Sequence, residues 1–371
     1  MTESDGEPPR APGSTPAGPT VVVREARPAD ADAVAAFTRD TWGERHEDYL
    51  PRVFPEWVAA DDPDRGTFVA TLPPEAIDGS DAVAGNDDRD PGDTVIEGDG
   101  AGAAAPGEPE AVVGCIRGAL LTEWEAWGQG IRVDPAARGF GVGTALSTGA
   151  LDWARDRGAT VCRNMVFSWN IAGLGQSRAV GFEPATEFRF AEPEPAADVG
   201  DPETAATASD SDGLRVLDGP DPNAAWAFWA DSDARDHLGG LALDDGEPWA
   251  CSELTRERLR VAADDDRLLA VAGADALAGF AVRARVSERP GDDGDDAPER
   301  VAVYGAAAWR DVDAAGALYK SIAADAAAVD ADAARVLIPE TVEHVSDTGA
   351  NRVPVAGEPD FVMRADLTGE L

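Results

Sequence analysis

The sequence has almost no lysine and few cysteines or histidines. Lys320 is the only lysine among 371 residues, so arginine carries nearly all of the positive charge. The cysteines Cys115, Cys162 and Cys251 are widely separated and form no CxxC pair, which argues against a disulfide framework and against a zinc site. The histidines show no metal-ligand spacing. We therefore expect a reduced, cytoplasmic protein that holds no metal.

Long apolar runs are also missing, as is a charged-then-apolar signal pattern at the N-terminus. Basic residues are scarce: 31 of them oppose 71 acidic ones, which gives a net charge of −40. Such a chain should repel nucleic acid and anionic membranes at modest salt. Acidic residues are distributed over the predicted domains as well as the loops. An acidic tail therefore does not explain them, and we favour adaptation to molar intracellular salt, which screens the repulsion.

The length of 371 residues predicts two domains or one large one. The hydrophobic content of 43% is enough for each to have a buried core. Three stretches that are poor in apolar residues divide the chain. Residues 1–19 are predicted to be a disordered N-terminus, 73–109 a disordered acidic insertion at a hairpin tip, and 191–213 an acidic linker. They leave two candidate domains, at 20–190 and 214–371.

The most informative stretch is Ile131–Trp153, which predicts a strand, a proline-started turn, a glycine-rich loop and an amphipathic helix. Four apolar residues recur at helical spacing along it: Val142, Leu146, Ala150 and Trp153. A helix start without side chains exposes unpaired N–H groups and the positive end of the helix dipole. The loop is therefore a candidate anion site, most often a phosphate site in proteins.

Two common phosphate motifs do not fit this loop. A P-loop needs Lys-Ser/Thr after its glycines, and the dinucleotide motif needs a different glycine spacing with an acidic residue about twenty positions on. Seven residues instead match the pattern Val-x-Pro-x-x-Arg-Gly-x-Gly-x-Gly-x-x-Leu: Val133, Pro135, Arg138, Gly139, Gly141, Gly143 and Leu146. This pattern resembles motif A of the GNAT N-acetyltransferases. A flexible glycine turn before a core helix is the alternative.

The resemblance implies that acetyl-CoA is the co-substrate. Its pyrophosphate would bind the loop residues Arg138, Gly139, Phe140, Gly141, Val142, Gly143 and Thr144. The strand residues Ile131, Arg132 and Val133 would bind the pantetheine and polarise the acetyl carbonyl through a main-chain N–H. Asn170, followed by Gly181-Phe182, is similar to motif B of the family, whose asparagine helps to position the pantetheine.

The implied architecture is an α/β fold with one mixed sheet, in the order β-α-α-β-β-β-α-β-α-β over 20–190. One of its predicted strands, at 123–133, is broken by Gly128 and Gly130. The second half repeats this order without the glycine loop and carries Trp309-Arg-Asp-Val-Asp-Ala-Ala-Gly at the corresponding place. Acids at that helix start would repel a diphosphate. We therefore predict a tandem GNAT arrangement with a degenerate second copy; the alternative is an unrelated α+β domain.

The usual acid and base of the family are missing. Many members carry a glutamate on the strand before motif A, where this chain has Gln129. Strand alternation would put the upstream Glu123 and Glu125 on the same face, and Glu125 is the first candidate base, with a solvated strand-end acid as the alternative. The family's acidic tyrosine is replaced by Ser177, a weak acid, although a CoA thiolate leaves readily without strong help.

The acceptor site is expected on the first helices, where Trp42, His46 and Tyr49 supply aromatic surface and a polar handle. Residues 129–135 and the stretch from Tyr49 to Trp57 are also similar to the vertebrate histidine N-acetyltransferase group, which implies a free amino acid or small amine as acceptor. Two alternatives stay open: acetylation of a protein N-terminus or lysine, and an inactive acyl-CoA-binding module.

Overall fold

The computed structural model describes residues 19–39, 41, 43, 48–78, 95–96, 110–196, 213–289 and 298–369. By its internal contacts the chain divides into two units. The first unit comprises Met1–Ala60, Thr67–Cys115 and Ile131–Gly149, and the second comprises Asp61–Gly66, Ile116–Gly130 and Ala150–Leu371. Residues 1–18 and most of the other two predicted disordered stretches lie outside the described residues.

The helices and strands up to Asp156 are β1 (Val22–Glu25), α1 (Ala31–Thr38), α2 (Leu50–Ala59), β2 (Arg65–Leu72), α3 (Pro74–Asp78), β3 (Val95–Ile96), β4 (Ala111–Leu120), β5 (Glu125–Val133) and α4 (Val142–Asp156). In the first unit the strand order is β3-β1-β2-β4-β5, with β1 antiparallel to β2 and parallel to β3. Strands β2, β4 and β5 and helix α4 each continue into the second unit.

Two expectations for this stretch need correction. Residues 73–109 are not structureless throughout, because Pro74–Asp78 is helical and Val95–Ile96 pairs with β1. The strand before the glycine loop begins at Glu125 and runs to Val133 without a break. Gly128 and Gly130 therefore lie inside a continuous strand, which local sequence weakens but pairing with neighbouring strands maintains.

The first unit has a small apolar core under α1 and α2. Its buried members are Val34, Leu50, Phe54, Val69 and Cys115. Helix α4 packs closely on the strands because Gly114 has no side chain. A Cβ there would lie 2.9 Å from the Arg132 carbonyl oxygen and from side-chain carbons of Val142 and Leu146. The predicted apolar face of α4 is confirmed, since Val142 and Leu146 are fully buried.

The remaining elements belong to the second unit: β6 (Val161–Phe167), α5 (Ile171–Ala179), β7 (Glu183–Ala191), β8 (Arg215–Val216), α6 (Pro222–Ala230), α7 (Asp233–Leu238), β9 (Leu241–Leu243), β10 (Cys251–Glu253), α8 (Arg256–Asp264), β11 (Leu268–Ala272), β12 (Leu277–Arg289), β13 (Glu299–Trp309), α9 (Val312–Ala328), β14 (Ala333–Pro339), α10 (Val342–Ala350) and β15 (Asp360–Asp366). Within this unit the strand order is β4-β5-β6-β15-β7-β14-β13-β12-β11-β8, and β9 pairs with β10 separately.

The element order of the first half recurs in the second. Strand β8, helices α6 and α8, strands β11 to β13, helix α9, strand β14, helix α10 and strand β15 follow one another as β-α-α-β-β-β-α-β-α-β. Strands β11 and β12 form an antiparallel hairpin, and helix Val312–Ala328 follows β13. The short elements α7, β9 and β10 are additional, and the sequence analysis did not identify them.

The last strands of the two halves are exchanged. Strand β15 lies between β6 and β7 and is antiparallel to both, so that Val362 is opposite Met165 on one side and Thr186 on the other. Strand β7 in turn pairs with β14, with Phe190 opposite Leu337. The sequence predicts a linker between two domains at residues 191–213. Because the last strands are exchanged, the boundary between the two units does not fall there. That prediction rested on composition, which carries no information on strand pairing.

Candidate functional site

The glycine loop after β5 has the backbone conformation that its sequence requires. Asp134 ends the strand: its N–H donates to the Val113 carbonyl at 2.8 Å, and its carboxylate accepts from the Ala136 N–H at 2.8 Å. Gly139 and Gly141 follow with φ of +82° and +78°, in the left-handed region that side chains disfavour. A Cβ on either glycine would meet no atom within 4 Å. Backbone conformation therefore requires these glycines, and the space in front of them is open.

Helix α4 begins directly after this loop, at Val142. Gly141 accepts the first helical hydrogen bond, from the Ala145 N–H at 2.9 Å, but it has no side chain to offer. Among the described residues, no side chain accepts a hydrogen bond from the N–H of Gly143 or Thr144. Arg138 is exposed, and within the residues that the structure describes its side chain makes no ion pair. Within the described residues, this region thus presents the N–H groups of Gly143 and Thr144, the positive end of a helix and the Arg138 guanidinium to an anion.

The corresponding helix of the second half is closed to an anion. Asp311 caps α9, and its carboxylate accepts from the Ala314 N–H at 2.9 Å while the Arg310 guanidinium contacts it at 2.8 Å. Partial burial acts to raise the pKa of Asp311, but these hydrogen bonds hold it below its ordinary value. A carboxylate therefore already occupies the helix start, as the sequence leads one to expect of a degenerate copy.

Strand β5 positions the residues predicted to bind the pantetheine. Its last three residues are partly accessible, and the Arg132 side chain binds Asp48, with 2.7 Å from Nε to Oδ2. Asp48 is buried and also accepts from the Leu50 N–H at 3.0 Å, at the start of α2. The guanidinium carbon of Arg132 lies 5.8 Å from the centre of the Tyr49 ring. The side chain of Arg132 thus anchors the segment that carries Tyr49.

Tyr49 is the only one of the three predicted acceptor-site residues that the structure describes. Its ring is 39% exposed and packs edge-to-face on Trp57 with 6.1 Å between centroids. The other two, Trp42 and His46, lie outside the described residues. Tyr49 is exposed, and its place in an acceptor site stays a prediction.

The candidate bases on β5 differ from expectation. Glu123 lies in the bend before the strand, so strand alternation does not relate it to Gln129, and that part of the prediction is wrong. Glu125 is fully buried and is neither solvated nor open to a substrate. Its Oε1 accepts from the Arg163 guanidinium at 2.6 Å and from the Glu253 N–H at 3.0 Å. These contacts give Glu125 a structural role inside the second unit.

Gln129 instead binds a carboxylate that the sequence analysis missed. Its Nε2 donates to Oε1 of Glu247 at 2.6 Å, and the Arg65 Nε lies 2.8 Å from Oε2 of the same group. Glu247 is nearly buried, at 7% exposure. An amide at position 129 can donate to a carboxylate, whereas a glutamate there would repel it. Glu247 stands in an acidic stretch far along the chain, so no local signal pointed to it.

The loop between β9 and β10 holds Glu247 in place. Asp244 organises this loop: its Oδ1 accepts from the N–H groups of Gly246 and Glu247 at 3.0 and 2.9 Å, and its Oδ2 accepts from the Ser252 hydroxyl at 2.7 Å. Trp249 follows with a φ of +66°, which a large side chain adopts only under constraint from its surroundings. The carboxylate of Glu247 is therefore presented by a fixed loop.

The two motif B residues are engaged within the second unit. Asn170 caps α5, and its Oδ1 accepts from the Gly173 N–H at 3.0 Å. Ser177 is buried, and its hydroxyl oxygen accepts from Nδ2 of Asn164 at 3.1 Å. Sequence analysis identified both positions but not Asn164. The capping bond uses the carbonyl oxygen of Asn170, and its amide group has two N–H donors in addition.

Nucleophilic and metal chemistry find little support in the described residues. Cys115, Cys162 and Cys251 are all buried, and burial raises the pKa of each thiol to about 12. Such thiols stay protonated and are poor nucleophiles. No group of three or more His, Cys, Asp or Glu side chains in this part of the chain could hold a metal ion. The described helices include none that is long and apolar enough to cross a membrane.

Comparison with protein families matches residues 31–175 to the acetyltransferase (GNAT) family. A GCN5-related N-acetyltransferase from Sphaerobacter thermophilus is 14% identical, with a TM-score of 0.53 over 95% of this chain and 97% of that one. The glucosamine N-acetyltransferase region of a fungal multi-domain GH3 β-N-acetylglucosaminidase is 12% identical, with a TM-score of 0.50 over 95% and 39% of the chains. A tandem GNAT protein from the clavulanic acid biosynthesis pathway is 13% identical, with 0.47 over 95% and 100%. No curated protein matches the chain.

At such low identity the similar structures bear on the fold alone. The first of them matches nearly the full length of both chains, so the similarity of fold includes the second half as well as the half that contains the glycine loop. The family match covers the residues on which the sequence resemblance rested, namely the strand, the loop and the helix of motif A and the start of motif B.

Proposed function

Because residues 31–175 belong to the GNAT acetyltransferase family, whose members are acetyl-CoA-dependent acyltransferases, we propose that this chain acetylates a primary amine of a small molecule. The observation that carries the proposal is the open start of helix α4. The N–H groups from Gly139 to Thr144 bind the pyrophosphate of acetyl-CoA, and Arg138 adds its charge. The left-handed glycines let the phosphates approach the backbone closely.

The end of strand β5 places the thioester. The main chain of Ile131, Arg132 and Val133 binds the pantetheine, and a main-chain N–H of this strand polarises the acetyl carbonyl. Such a donor stabilises the negative charge that develops on the carbonyl oxygen when the amine attacks. The side chain of Arg132 is bound to Asp48, which holds this strand beside the segment that carries Tyr49. Asn170 contacts the pantetheine through its amide N–H groups.

Proton removal from the attacking amine is the role that we assign to Glu247. An ammonium group cannot attack, so the amine must lose a proton before or during the reaction. Gln129 is two residues from Ile131 on the same strand, about 7 Å along it, and it holds the carboxylate of Glu247. Within the described residues each oxygen of this carboxylate has one polar contact, and each can accept another hydrogen bond, directly or through water. Both Glu125 and Glu247 are paired with an arginine, but Glu125 has no exposed surface whereas Glu247 retains 7% exposure.

The leaving thiolate needs less assistance. Ser177 is buried and bonded to Asn164, and a serine hydroxyl is a weak acid. A CoA thiolate is a good leaving group, so solvent protonates it after departure, and the absence of a tyrosine at this position is compatible with turnover. Tyr49 contributes an exposed aromatic surface to the acceptor site.

A calorimetric titration of acetyl-CoA into the purified chain in molar KCl tests the cofactor half of this proposal. We expect one site per chain, because α4 has an open start and α9 is capped by Asp311. Gly141→Glu should abolish binding, since it strains the backbone and places a carboxylate where the phosphates bind. Gly349→Glu is the matched control, because its Cβ would meet no atom within 4 Å and its φ is not in the left-handed region.

An assay of CoA release with a panel of small amines tests the transfer half. Acetylation of at least one of them supports the proposal. Binding of acetyl-CoA without transfer to any amine would instead make the chain an acyl-CoA-binding module. If the folded chain gives no heat with acetyl-CoA, the assignment of the loop itself is wrong.

A further inference from the structure

A second candidate ligand site lies in the second half of the chain. A cavity of about 310 Å³ opens there between the end of α6, the turn into α7, the end of β13 and the start of α10. All of these elements belong to the second unit. Phe228 and Trp309 form its apolar wall, and Trp309 is fixed by a hydrogen bond of 3.0 Å from its Nε1 to Asp347. The cavity is large enough for a small organic molecule.

The mouth of the cavity is negatively charged. Asp231, Asp233 and Glu343 line it and are exposed, and within the described residues none of the three makes a side-chain ion pair. Arg310 is the one cation among the lining residues, and Asp311 binds it at 2.8 Å. The uncompensated charge therefore favours a cation over an anion. The carboxylates do not converge closely enough to hold a metal ion among the residues that the structure describes.

His344 provides an independent sign that the cavity takes a ligand. Its side chain lines the cavity although the residue is only 4% exposed. One ring nitrogen, Nδ1, is bonded to the Thr341 hydroxyl at 2.8 Å, but within the described residues Nε2 has no hydrogen-bond partner. Burial lowers the pKa of His344 to about 4, so the ring is neutral at physiological pH. A buried neutral imidazole with an unpaired nitrogen is a ready partner for a polar hydrogen of a ligand.

The repeat explains why a cavity exists at this place. The end of β13, the start of α10 and helix α6 correspond in element order to the end of β5, the start of α5 and helix α1, whereas α7 has no counterpart in the first half. In the second half Asp311 has closed the anion site at the start of α9. The cavity beside this helix start is open, and its acidic lining suits a cation.

We propose that this cavity binds a small organic ammonium compound, with the charged nitrogen among Asp231, Asp233 and Glu343 and the carbon body against Phe228 and Trp309. The N–H groups of a primary ammonium can also donate to Nε2 of His344. Aromatic walls with nearby carboxylates suit an organic cation, since the rings contact its carbon atoms and favour positive charge. The inference concerns the second half and is independent of acetyl transfer by the first.

Calorimetric titration of the full chain without acetyl-CoA tests the proposal, with phenethylammonium as the probe and 2-phenylethanol as a neutral molecule of similar shape. We expect the ammonium to bind at least about tenfold more tightly, equivalent to about 1.4 kcal/mol. The double variant Asp231→Asn, Glu343→Gln should remove this difference and leave the neutral probe unaffected. Asp236→Asn is the matched control, because this side chain on α7 is 79% exposed and does not line the cavity.

The Gly141→Glu variant locates the binding. It disables the proposed acetyl-CoA loop of the first half, and it should bind phenethylammonium as the unchanged chain does. Equal affinity for the two probes would overturn the proposal. So would undiminished binding of the ammonium by the double variant, or its loss in Gly141→Glu with the chain still folded, since both would place the amine elsewhere.

Discussion

Gln129 donates a hydrogen bond of 2.6 Å from its Nε2 to Oε1 of Glu247, a residue 118 positions further along the chain. The sequence alone shows an amide where a carboxylate would serve the chemistry, and the structure shows a carboxylate beside that amide. Arg65 binds the other oxygen of Glu247 at 2.8 Å. We therefore propose that the base sought on β5 is Glu247, which lies on the loop between β9 and β10 in the other half of the chain.

The first prediction concerns this carboxylate. Glu247→Gln should lower kcat for acetyl transfer about 10²-fold, because a base contributes roughly 10²- to 10⁴-fold to such reactions. Affinity for acetyl-CoA should not change, and Glu247→Asp should restore part of the rate. Steady-state kinetics with the best small amine, together with a titration of acetyl-CoA, measures both effects.

Glu253→Gln controls for the loss of one negative charge from this region, since Glu253 is exposed on β10 next to the same loop. It should retain the full rate. A wild-type kcat in Glu247→Gln would remove Glu247 from the mechanism. A parallel loss of thermal stability and rate that Glu247→Asp does not relieve would reduce it to a structural residue.

The second prediction separates stability from catalysis at Glu125. Glu125→Gln leaves Arg163 buried without a counter-charge and should lower the free energy of unfolding by about 3–5 kcal/mol. Where the variant is still folded, kcat should stay near the wild-type value, because the carboxylate has no exposed surface. Urea denaturation followed by an assay at low temperature distinguishes the two effects.

Glu123→Gln is the matched control for Glu125, since it removes an exposed carboxylate two positions away. It should change neither stability nor rate. If Glu125→Gln were fully stable and inactive, Glu125 would be the base after all, and the assignment of Glu247 would fall with it.

The third prediction is a pH dependence of stability at Asp360. Burial raises the pKa of Asp360 to about 6, although Arg335 acts to lower it. A folded-state pKa above the unfolded value of 3.8 means that protonated Asp360 favours folding. This contribution is present below about pH 4 and is lost as the pH rises through 6. Ionised Asp360 therefore weakens the folded state at neutral pH.

Asp360→Asn keeps the side chain neutral at every pH. It should raise the free energy of unfolding at pH 7.5 by about 1–3 kcal/mol relative to the unchanged chain, and the difference should vanish near pH 4. Denaturant titrations at several pH values measure this. A variant that is less stable at pH 7.5 would show that the interaction of Asp360 with Arg335 outweighs the cost of burying its charge.

Local sequence patterns predicted the parts of the fold that local forces determine. Helix Val312–Ala328 follows from its apolar spacing and the Asp311 cap, and the loop at Gly139 and Gly141 follows from the need for left-handed backbone. The pairing of Gln129 with Glu247 could not be predicted in this way, because it depends on how two distant segments fold together. The exchange of β7 and β15 has the same origin, since each strand has the same composition whichever neighbour it pairs with.

The fourth prediction follows from that exchange. Strand β15, the last of the second half, completes the sheet beside β6 of the first half, and Val362 lies buried between Met165 and Thr186. Because the two sequence halves share strands in this way, the second unit should unfold as one cooperative structure. Val362→Ala should lower its free energy of unfolding by about 2 kcal/mol, from lost burial and a small cavity. Circular dichroism and tryptophan fluorescence should report the same shifted transition.

Val342→Ala, at a position that is 89% exposed, is the control and should leave the transition unchanged. Two separate transitions, of which Val362→Ala moved only one, would mean that each half is stable without the strand that it receives from the other.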